Sequence, residues 1–168
     1  MGITTEVKDA IFDASAEAMV ICDSSGEIID VNQRGVDLFG YLKDELVGNR
    51  IEMLLPENMK NVHEKYRSNF HKSPKNRPMG GGNELFGVKK GGAKIPLAIS
   101  LGNKEIKGKS YVIAFIIDIS EQVEAQKKLK NLNNELEQRV ESRTRELAQL
   151  VSQLGKSNQD LLKAEVEV

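Results

Sequence analysis

The residues of this chain that could do chemistry gather around one histidine. His63 lies in residues 56–71, whose pattern predicts a helix, and helical spacing places Met59, Tyr66 and Phe70 on the same face. Neutral imidazole is the commonest metal ligand among side chains. The face therefore has two interpretations: it lines a ligand pocket, or it is a packed helix surface with a satisfied histidine.

Other reactive groups do not form a catalytic set. The single cysteine, Cys22, falls in a predicted strand without a neighbouring histidine and is expected to be a core residue. Gly80-Gly81-Gly82 precedes a predicted strand rather than a helix, so the helix N-terminus that binds phosphate is missing. The sequence has no Gly-x-x-x-x-Gly-Lys-Ser/Thr loop and no histidine after His71. We therefore expect that this chain is not itself an enzyme.

Composition and charge exclude several other classes. The 168 residues include 24 basic and 25 acidic side chains and one cysteine, which rules out a disulfide framework and a cysteine-rich zinc module. The longest apolar run, Val112 to Ile117, is much shorter than the roughly 20 residues that cross a bilayer, and no signal peptide is recognisable. Basic residues concentrate in 57–94 but form no regular helix face with stacking aromatics. These patterns predict a cytoplasmic segment without nucleic-acid or membrane contacts.

The elements that must position these residues form an α+β body before Ser120. Apolar runs and turn residues predict strands at 18–22, 27–31, 84–89, 94–101 and 111–118, with short helices before Ala14 and at 32–39, 44–48 and 56–71. The order predicts a five-stranded antiparallel sheet with helices on one face. A cavity between sheet and helices would hold a small ligand.

The order and spacing of short motifs in this body resemble the PAS sensor domain family over residues 12–120. The motifs are Ala18-Met19-Val20-Ile21-Cys22-Asp23 with its Gly26 turn, Val31-Asn32, Leu38-Phe39-Gly40-Tyr41, Asp44-Glu45-Leu46-Val47-Gly48, Leu54-Leu55-Pro56-Glu57, Leu85-Phe86-Gly87, Lys89-Lys90-Gly91-Gly92, Ile95-Pro96-Leu97 and Asp118-Ile119-Ser120. The resemblance implies a PAS fold for 12–120, with an N-terminal flank at 1–11 and a signalling helix at 121–168.

One part of the body is similar to the haem-binding PAS domains of bacterial oxygen-sensing kinases. The matching residues are Leu55-Pro56-Glu57, His63, Tyr66, Phe70, Arg77 and Gly80-Gly81-Gly82. This resemblance implies that His63 is an iron ligand and that haem b is a candidate cofactor. The same group places an arginine where this chain has Asn83, and many PAS domains carry a histidine here without a cofactor. Covalent flavin photochemistry is not expected, because Met53-Leu54-Leu55 replaces the Asn-Cys-Arg type of helix.

The tail after Ser120 has the pattern of a coiled coil. A first seam contains Leu129, Leu132 and Leu136, and a second contains Val140, Leu147, Leu150, Leu154 and Leu161. The four-residue step from Leu136 to Val140 is a stutter, which locally unwinds a left-handed supercoil. Polar residues at 143 and 157 weaken the second seam. The pattern predicts a parallel homodimeric coiled coil; the alternative is a single solvated helix held by ion pairs.

The junction between body and tail carries the functional expectation. In PAS sensors that resemble this chain, Asp118, Ile119 and Ser120 would relay a change in the sheet to the helix, and residues 141–147 are similar to helices that join PAS domains to histidine-kinase modules. We therefore expect a sensory module of a bacterial sensor, with a downstream kinase or other output domain as partner. The rival hypothesis is a ligand-free PAS module that only dimerises.

Overall fold

The computed structural model describes residues 4–72, 77–79 and 84–166, and side chains within these ranges except at 68–72, 77–78 and 160–166. The chain falls into two compact units, Met1–Glu121 and Gln122–Val168.

Among the described residues, the first unit contains four helices and six strands, and all of these elements except the third strand follow the order that the sequence predicts. The helices are α1 (Thr5–Asp13), α2 (Gln33–Phe39), α3 (Lys43–Leu46) and α4 (Glu57–Lys72), and a 3₁₀ turn spans Ile51–Leu54. The strands are β1 (Ala18–Asp23), β2 (Ile28–Val31), β3 (Arg77–Pro78), β4 (Leu85–Val88), β5 (Lys94–Ile106) and β6 (Lys109–Asp118).

The strands form one antiparallel sheet in the order β2-β1-β6-β5, with β3 and β4 both pairing with β5. The five-stranded antiparallel sheet predicted from the sequence is confirmed. The two-residue β3 is an addition that no sequence pattern marks, because two residues are too short for a period-2 signal. Strand β5 also extends past residue 101, to a two-residue turn in which Lys107 and Gly108 both have positive φ. Such a turn matches the twist of a hairpin.

A buried asparagine joins α1, β1 and α2. The Asn32 side chain is fully buried, and its Oδ1 accepts hydrogen bonds from the backbone N–H of Gly35 (2.9 Å) and Met19 (2.8 Å). Its amide donates to the carbonyls of Phe12 (3.1 Å) and Glu17 (2.9 Å). Asn32 therefore caps α2 and fixes the entry to β1, with both polar ends of the side chain bonded.

The apolar core lies between the sheet and the short helices. Its buried members are Ala18, Val20, Cys22, Ile28, Val31, Phe39, Leu46, Leu54, Ile95, Leu97 and Ile116. They alternate with less buried residues along β1, where every second side chain is buried. That alternation is the period-2 pattern from which the sheet was predicted.

The described residues of the second unit all belong to one helix, α5 (Ser120–Val166), which begins in the first unit and runs for 47 residues. From Leu129 to Leu154 its leucine and valine side chains are exposed in the single chain. Over the described residues, no helix is both long enough and apolar enough to span a bilayer.

Candidate functional site

A cavity of about 670 Å³ lies inside the first unit, as the fold class predicts. Four strands, the 3₁₀ turn and α4 contribute to its wall. The apolar wall residues include Leu54, Leu55, Leu85, Leu97, Ile99, Leu101, Val112, Ala114 and Ile116. A largely apolar enclosure with a few polar groups is typical of small-molecule sites.

Three of the four candidate ligand-contacting residues meet at this cavity. His63, Met59 and Tyr66 all line it from α4. Met59 and Tyr66 remain partly exposed, at 38 % and 59 %, whereas the His63 side chain is only 16 % exposed. Phe70 lies on the same helix, but its side chain is outside the described part of the structure, as are Gly80-Gly81-Gly82.

His63 is held by a buried carboxylate. One ring nitrogen, Nδ1, lies 3.0 Å from Glu52 Oε1. The same oxygen accepts a hydrogen bond from Arg67 Nε at 3.2 Å. The side chains of Glu52 and Arg67 are only 11 % and 15 % exposed. The three residues therefore form a histidine–carboxylate–guanidinium cluster, which we call the Glu52 cluster.

The environment of Glu52 keeps its carboxyl ionised. Burial alone would raise the pKa of Glu52, but the hydrogen bond to His63, the bond from its own backbone N–H and the Arg67 charge together lower that pKa below its ordinary value. Among the described residues, the second oxygen, Oε2, is buried without a hydrogen-bond partner. A buried acceptor left unpaired costs about 1–3 kcal/mol of folding free energy, so its retention calls for an explanation.

Arg67 extends the cluster to the β1–β2 turn. Its guanidinium donates to the backbone carbonyls of Ser24 (3.3 Å) and Ser25. A Cβ at Gly26 would lie 2.6 Å from Arg67 Cζ, and Gly26 has a φ of +87°. The positive φ favours glycine at 26, and a Cβ there would displace the Arg67 guanidinium from its present position.

Arg50 anchors the same turn from outside. Its Nη1 donates to the Ser25 carbonyl at 2.8 Å, and its Nη2 pairs with Glu64 at 3.0 Å. The turn is also closed internally, because Asp23 Oδ1 accepts from the N–H of Ser25 (2.8 Å) and of Glu27 (2.9 Å). The end of β1 is thus tied to α4 by two arginines.

Cys22 lines the cavity, and its surroundings favour the protonated thiol. Burial, with the nearby charges of Asp23 and Glu52, raises the pKa of its thiol to about 12. A thiol that stays protonated at neutral pH is a poor nucleophile and metal ligand. Within the described ranges, no group of three or more His, Cys, Asp or Glu side chains is arranged to hold a metal ion.

The predicted relay residues form a bonded junction between β6 and α5. Asp118 Oδ1 accepts from the backbone N–H of Ser120 at 2.9 Å and from its hydroxyl at 2.5 Å. The Ile119 N–H donates to the carbonyl of Pro96 in β5 at 3.1 Å. Burial opposes ionisation of Asp118, but the Ser120 hydrogen bonds and the charge of Lys89 leave its pKa lowered. Asp118 thereby satisfies one of the unpaired N–H groups that begin a helix.

A comparison with protein families identifies this architecture. The profile described as PAS domain matches residues 16–121. The chain belongs to the PAS domain family. The PAS resemblance inferred from the sequence is confirmed, and the residues of the Glu52 cluster and of the β6–α5 junction lie within the matched region.

Two sensor proteins are similar in sequence to this PAS domain. Sensor protein FixL of Bradyrhizobium diazoefficiens is 28 % identical over 120 residues, which cover 71 % of this chain and 24 % of FixL. Oxygen sensor protein DosP of Escherichia coli is 32 % identical over 101 residues, which cover 60 % of this chain and 13 % of DosP. The chain therefore spans a quarter or less of these relatives.

A solved structure supports the fold. The PAS domain of the HTR-like protein from Haloarcula marismortui superposes with a TM-score of 0.60 at 22 % identity, and the match covers 68 % of this chain and 91 % of that one. At this identity the likeness concerns the fold.

The coiled-coil positions lie on α5 and their side chains are exposed. The described ones are Leu129, Leu132, Leu136, Val140, Leu147, Leu150 and Leu154, at 48–67 % exposure. Leu161 belongs to the same helix, with its side chain outside the described residues. The pairing of two such helices stays a prediction.

Sequence reasoning missed Glu52 and Arg67. The signal was a single carboxylate at 52 within the apolar stretch 51–55 of the PAS domain. A charged residue in such a run is buried only when it is paired. Its partners stand 11 and 15 residues later on α4, so neither helical nor strand spacing connects them.

Proposed function

We propose that this chain is the sensory and relay segment of a bacterial sensor, in which a change in the PAS cavity alters the pairing of two α5 helices. The observation that carries this proposal is the short connection between cavity and helix. Strand β6 contributes Ile116 to the cavity wall and ends at Asp118, and α5 begins at Ser120. Only Ile119 separates the two elements.

A ligand in the cavity would act on the junction through two neighbouring strands. Ile116 in β6 pairs with Ile99 in β5, and both line the cavity. Leu97 also lines it, and the preceding residue, Pro96, holds the Ile119 N–H through its carbonyl. A shift of either strand therefore reaches the first turn of α5 without crossing a flexible linker. A ligand shifts such an equilibrium only as far as it binds the two states unequally.

The output side of the proposal is a parallel dimer of α5. Exposed apolar residues at a and d positions become buried when two such helices pair, which stabilises the dimer. The four-residue stutter after Leu136 and the polar positions Arg143 and Ser157 weaken the pairing locally. A helix pair of this kind has two registers of similar free energy, and the cavity selects between them. Catalytic activity belongs to the output domain, a histidine kinase in the first instance.

A length-change experiment tests rigid relay. Residues 1–168 are fused to a histidine-kinase module, and autophosphorylation is measured for the parent fusion, a deletion of Glu124 and a seven-residue insertion at the same point. Removing one residue rotates the downstream helix by about 100°, whereas seven residues nearly restore the phase. We expect the deletion to change kinase activity at least tenfold and the insertion to leave it within about twofold. Equal activity in all three fusions would contradict relay through a continuous helix.

A second candidate function is haem-based gas or redox sensing, which the position of His63 favours. The His63 ring lines an apolar cavity, and Glu52 contacts its Nδ1, so Nε2 is the nitrogen that would bind a haem iron. DosP, which is similar over this region, is named an oxygen sensor. His63 would hold haem b, with Met59 and Tyr66 beside it. Haem iron would supply a binding site for a diatomic gas or a one-electron redox centre.

Hemin titration separates haem sensing from its rival, a ligand-free dimerisation module. The purified chain is titrated with hemin and the Soret band is recorded for wild type, His63→Ala and His71→Ala. We expect a saturable shift that is lost only in His63→Ala. A chain that shows no shift, and that releases no small molecule on denaturation, would favour the dimerisation module.

A further inference from the structure

We infer that residues 154–160 of α5 are a conformational switch: their pairing is so weak that a change in the preceding part of the helix decides whether they are paired or locally unwound. We call this segment the weak heptad. The inference rests on the proposed relay for its biological meaning, and it names the place in α5 where the conformation changes. The weakness itself is a property of the chain, whether or not the cavity is occupied.

The weak heptad differs from the heptad before it at positions that decide helix stability and pairing. Both begin with a leucine at position a of the predicted seam, Leu147 and Leu154. From residues 147–153 to residues 154–160, alanine changes to glycine at position b, leucine to serine at position d, and valine to asparagine at position e. Each change lowers either the helix propensity or the apolar surface available for pairing.

Gly155 has no packing role in the described structure. It lies inside the regular helix, and a Cβ built on it would meet no atom within 4 Å. Position b also lies away from the seam of a two-stranded coiled coil. Alanine would therefore fit, and glycine in a helix interior lowers the local helix equilibrium constant about fivefold relative to alanine. The glycine thus weakens α5 at a point where the backbone does not need it.

Ser157 interrupts the apolar seam one turn later. The seam positions 147, 150 and 154 are leucines that are exposed in the single chain, and the next seam position is this serine. A polar residue at such a position lowers the stability of a coiled coil. Leu161 and Ala164 then resume the apolar pattern. The weak heptad therefore lies between two stretches that can pair, and not where the pattern stops.

Ion pairs within the helix do not compensate for these losses. Among the described side chains of α5, ion pairs connect Arg143 with Glu146 and Arg145 with Glu141, and none involves residues 147–159. Pairs of this spacing support a helix where packing does not. The part of α5 just before the second heptad has this support, whereas the described side chains of the weak heptad do not.

A segment that is close to the midpoint between paired and unwound states responds most to a small perturbation. An upstream change shifts such an equilibrium only by its difference in free energy between the two states, and a stably paired segment would need a large difference. The weak heptad begins two heptads after the stutter at Val140. A change of helix phase at the stutter would therefore reach it through a stretch that carries leucines at its seam positions from Leu147 to Leu154.

Hydrogen exchange measures the weakness residue by residue. The fusion of residues 1–168 to a histidine-kinase module is used, so that the helix continues past residue 168, and the exchange of backbone amides is resolved by mass spectrometry. Because the glycine and the serine act together, we expect amides 155–159 to exchange at least about tenfold faster than amides 148–152. Amides 161–164 should be protected again. A rate that rises steadily from residue 154 onwards, without this recovery, would overturn the inference.

Two substitutions should strengthen the weak heptad. Gly155→Ala should slow exchange at 155–159 about fivefold, because alanine restores helix propensity. Ser157→Leu should slow it at least about tenfold, because it completes the apolar seam. Exchange at the parent rate in both variants would overturn the assignment of the weakness to these two positions.

The chain offers matched controls for these variants. Ala148→Gly places a glycine at position b of the preceding heptad and should speed exchange at 148–152 about fivefold. Gln159→Ala changes a residue of the weak heptad outside the seam and should leave exchange within about twofold of the parent. An effect of Gln159→Ala as large as that of Gly155→Ala would contradict the specific role of the glycine.

Kinase activity tests the switch itself. Ser157→Leu is combined with the deletion of Glu124 in the same fusion. If the weak heptad is the switching segment, the strengthened heptad stays paired at both helix lengths, and the deletion should then change activity less than about threefold instead of tenfold. A tenfold deletion effect that persists in Ser157→Leu would contradict the switch but not the relay. If the deletion has no effect in the parent fusion, the proposed relay fails, and the exchange rates alone decide whether the heptad is weak.

Discussion

The PAS body and the long helix α5 differ in the exposure of their leucine, isoleucine and valine side chains. In the body, Val20, Ile28 and Leu46 are fully buried. On α5, Leu129 and Leu154 are 67 % and 63 % exposed in the single chain. The body therefore has a buried core of its own, although other apolar side chains such as Leu42 and Ile117 are exposed. The described leucines of α5 are all exposed, and only a second surface packed against them would cover them.

This difference shows where each region obtains its stability. The body combines a close-packed core with a cavity, so it can be folded and still hold a ligand. Isolated helices gain little from their own hydrogen bonds and depend on packing of an apolar face. The proposed function needs both properties. A body with its own core can change conformation without unfolding, and a helix whose stability depends on packing can respond to that change.

Truncation of a core leucine tests the contrast between the body and α5, and it should give the largest change in the free energy of unfolding. We expect Leu46→Ala to lower the free energy of unfolding of the body by about 2–5 kcal/mol, because a fully buried leucine leaves a cavity. Leu129→Ala is the matched control on α5 and should leave the body unchanged. Urea unfolding followed by tyrosine fluorescence reports on the body, since all three tyrosines precede residue 112. An equal loss of unfolding free energy in Leu46→Ala and Leu129→Ala would contradict the conclusion that the body is stabilised by its own core.

A charge in the seam tests the dependence of α5 on a partner. Leu150→Lys should weaken dimerisation at least about hundredfold, because each leucine contributes about 1.5–3 kcal/mol and every dimer contains two. Sedimentation equilibrium gives the dissociation constant. Gln149→Lys adds the same charge outside the predicted seam and should behave like wild type. Similar effects of the two substitutions would place the interface elsewhere.

The Asp118–Ser120 hydrogen bonds lie where the body meets α5. Their removal should change the stability of the chain less than the substitutions above change unfolding or dimerisation. Since the folded state lowers the pKa of Asp118, this group stabilises the folded chain above the ordinary carboxyl value of 3.8, and the contribution is lost as the pH falls below it. We expect Asp118→Asn to cost at most about 2 kcal/mol near neutral pH, the range of helix-capping contacts. Its stability should also fall less between pH 6 and 3 than that of wild type. Parallel pH profiles of the two proteins would contradict the assigned contact.

The helix content at high salt distinguishes a packed α5 from a single helix held by ion pairs. Of the changes predicted here, this one should be the smallest. The pairs Arg143–Glu146 and Arg145–Glu141 are exposed, and such pairs contribute only about 0.2–0.5 kcal/mol each. Circular dichroism in 1 M NaCl, where charges are screened beyond about 3 Å, should show nearly unchanged helix content. A large loss of helicity would favour the solvated single helix.

The sequence predicts those parts of the molecule that depend on local spacing. Alternation along 18–22 predicts β1, and the leucines after Ser120 predict a long helix, since both signals repeat within a few residues. The helix that carries His63 follows from the same logic. Helical spacing also puts His63, Met59 and Tyr66 on one face, and in the structure all three line the cavity.

The Glu52 cluster could not be predicted in this way because it is built by tertiary contacts. Residues from a 3₁₀ turn, from α4 and from the β1–β2 turn meet only after the chain folds. Local periodicity does not predict such tertiary contacts. The one signal in the sequence is the carboxylate of Glu52 among apolar neighbours, which indicates that a charged or polar side chain pairs with it.

The most direct test of the account is the oligomeric state of the purified chain. Sedimentation equilibrium over a range of micromolar concentrations should give twice the chain mass of 18.7 kDa, together with a high helix content. A mass of 18.7 kDa throughout, with a frayed C-terminal helix, would contradict relay through a paired α5.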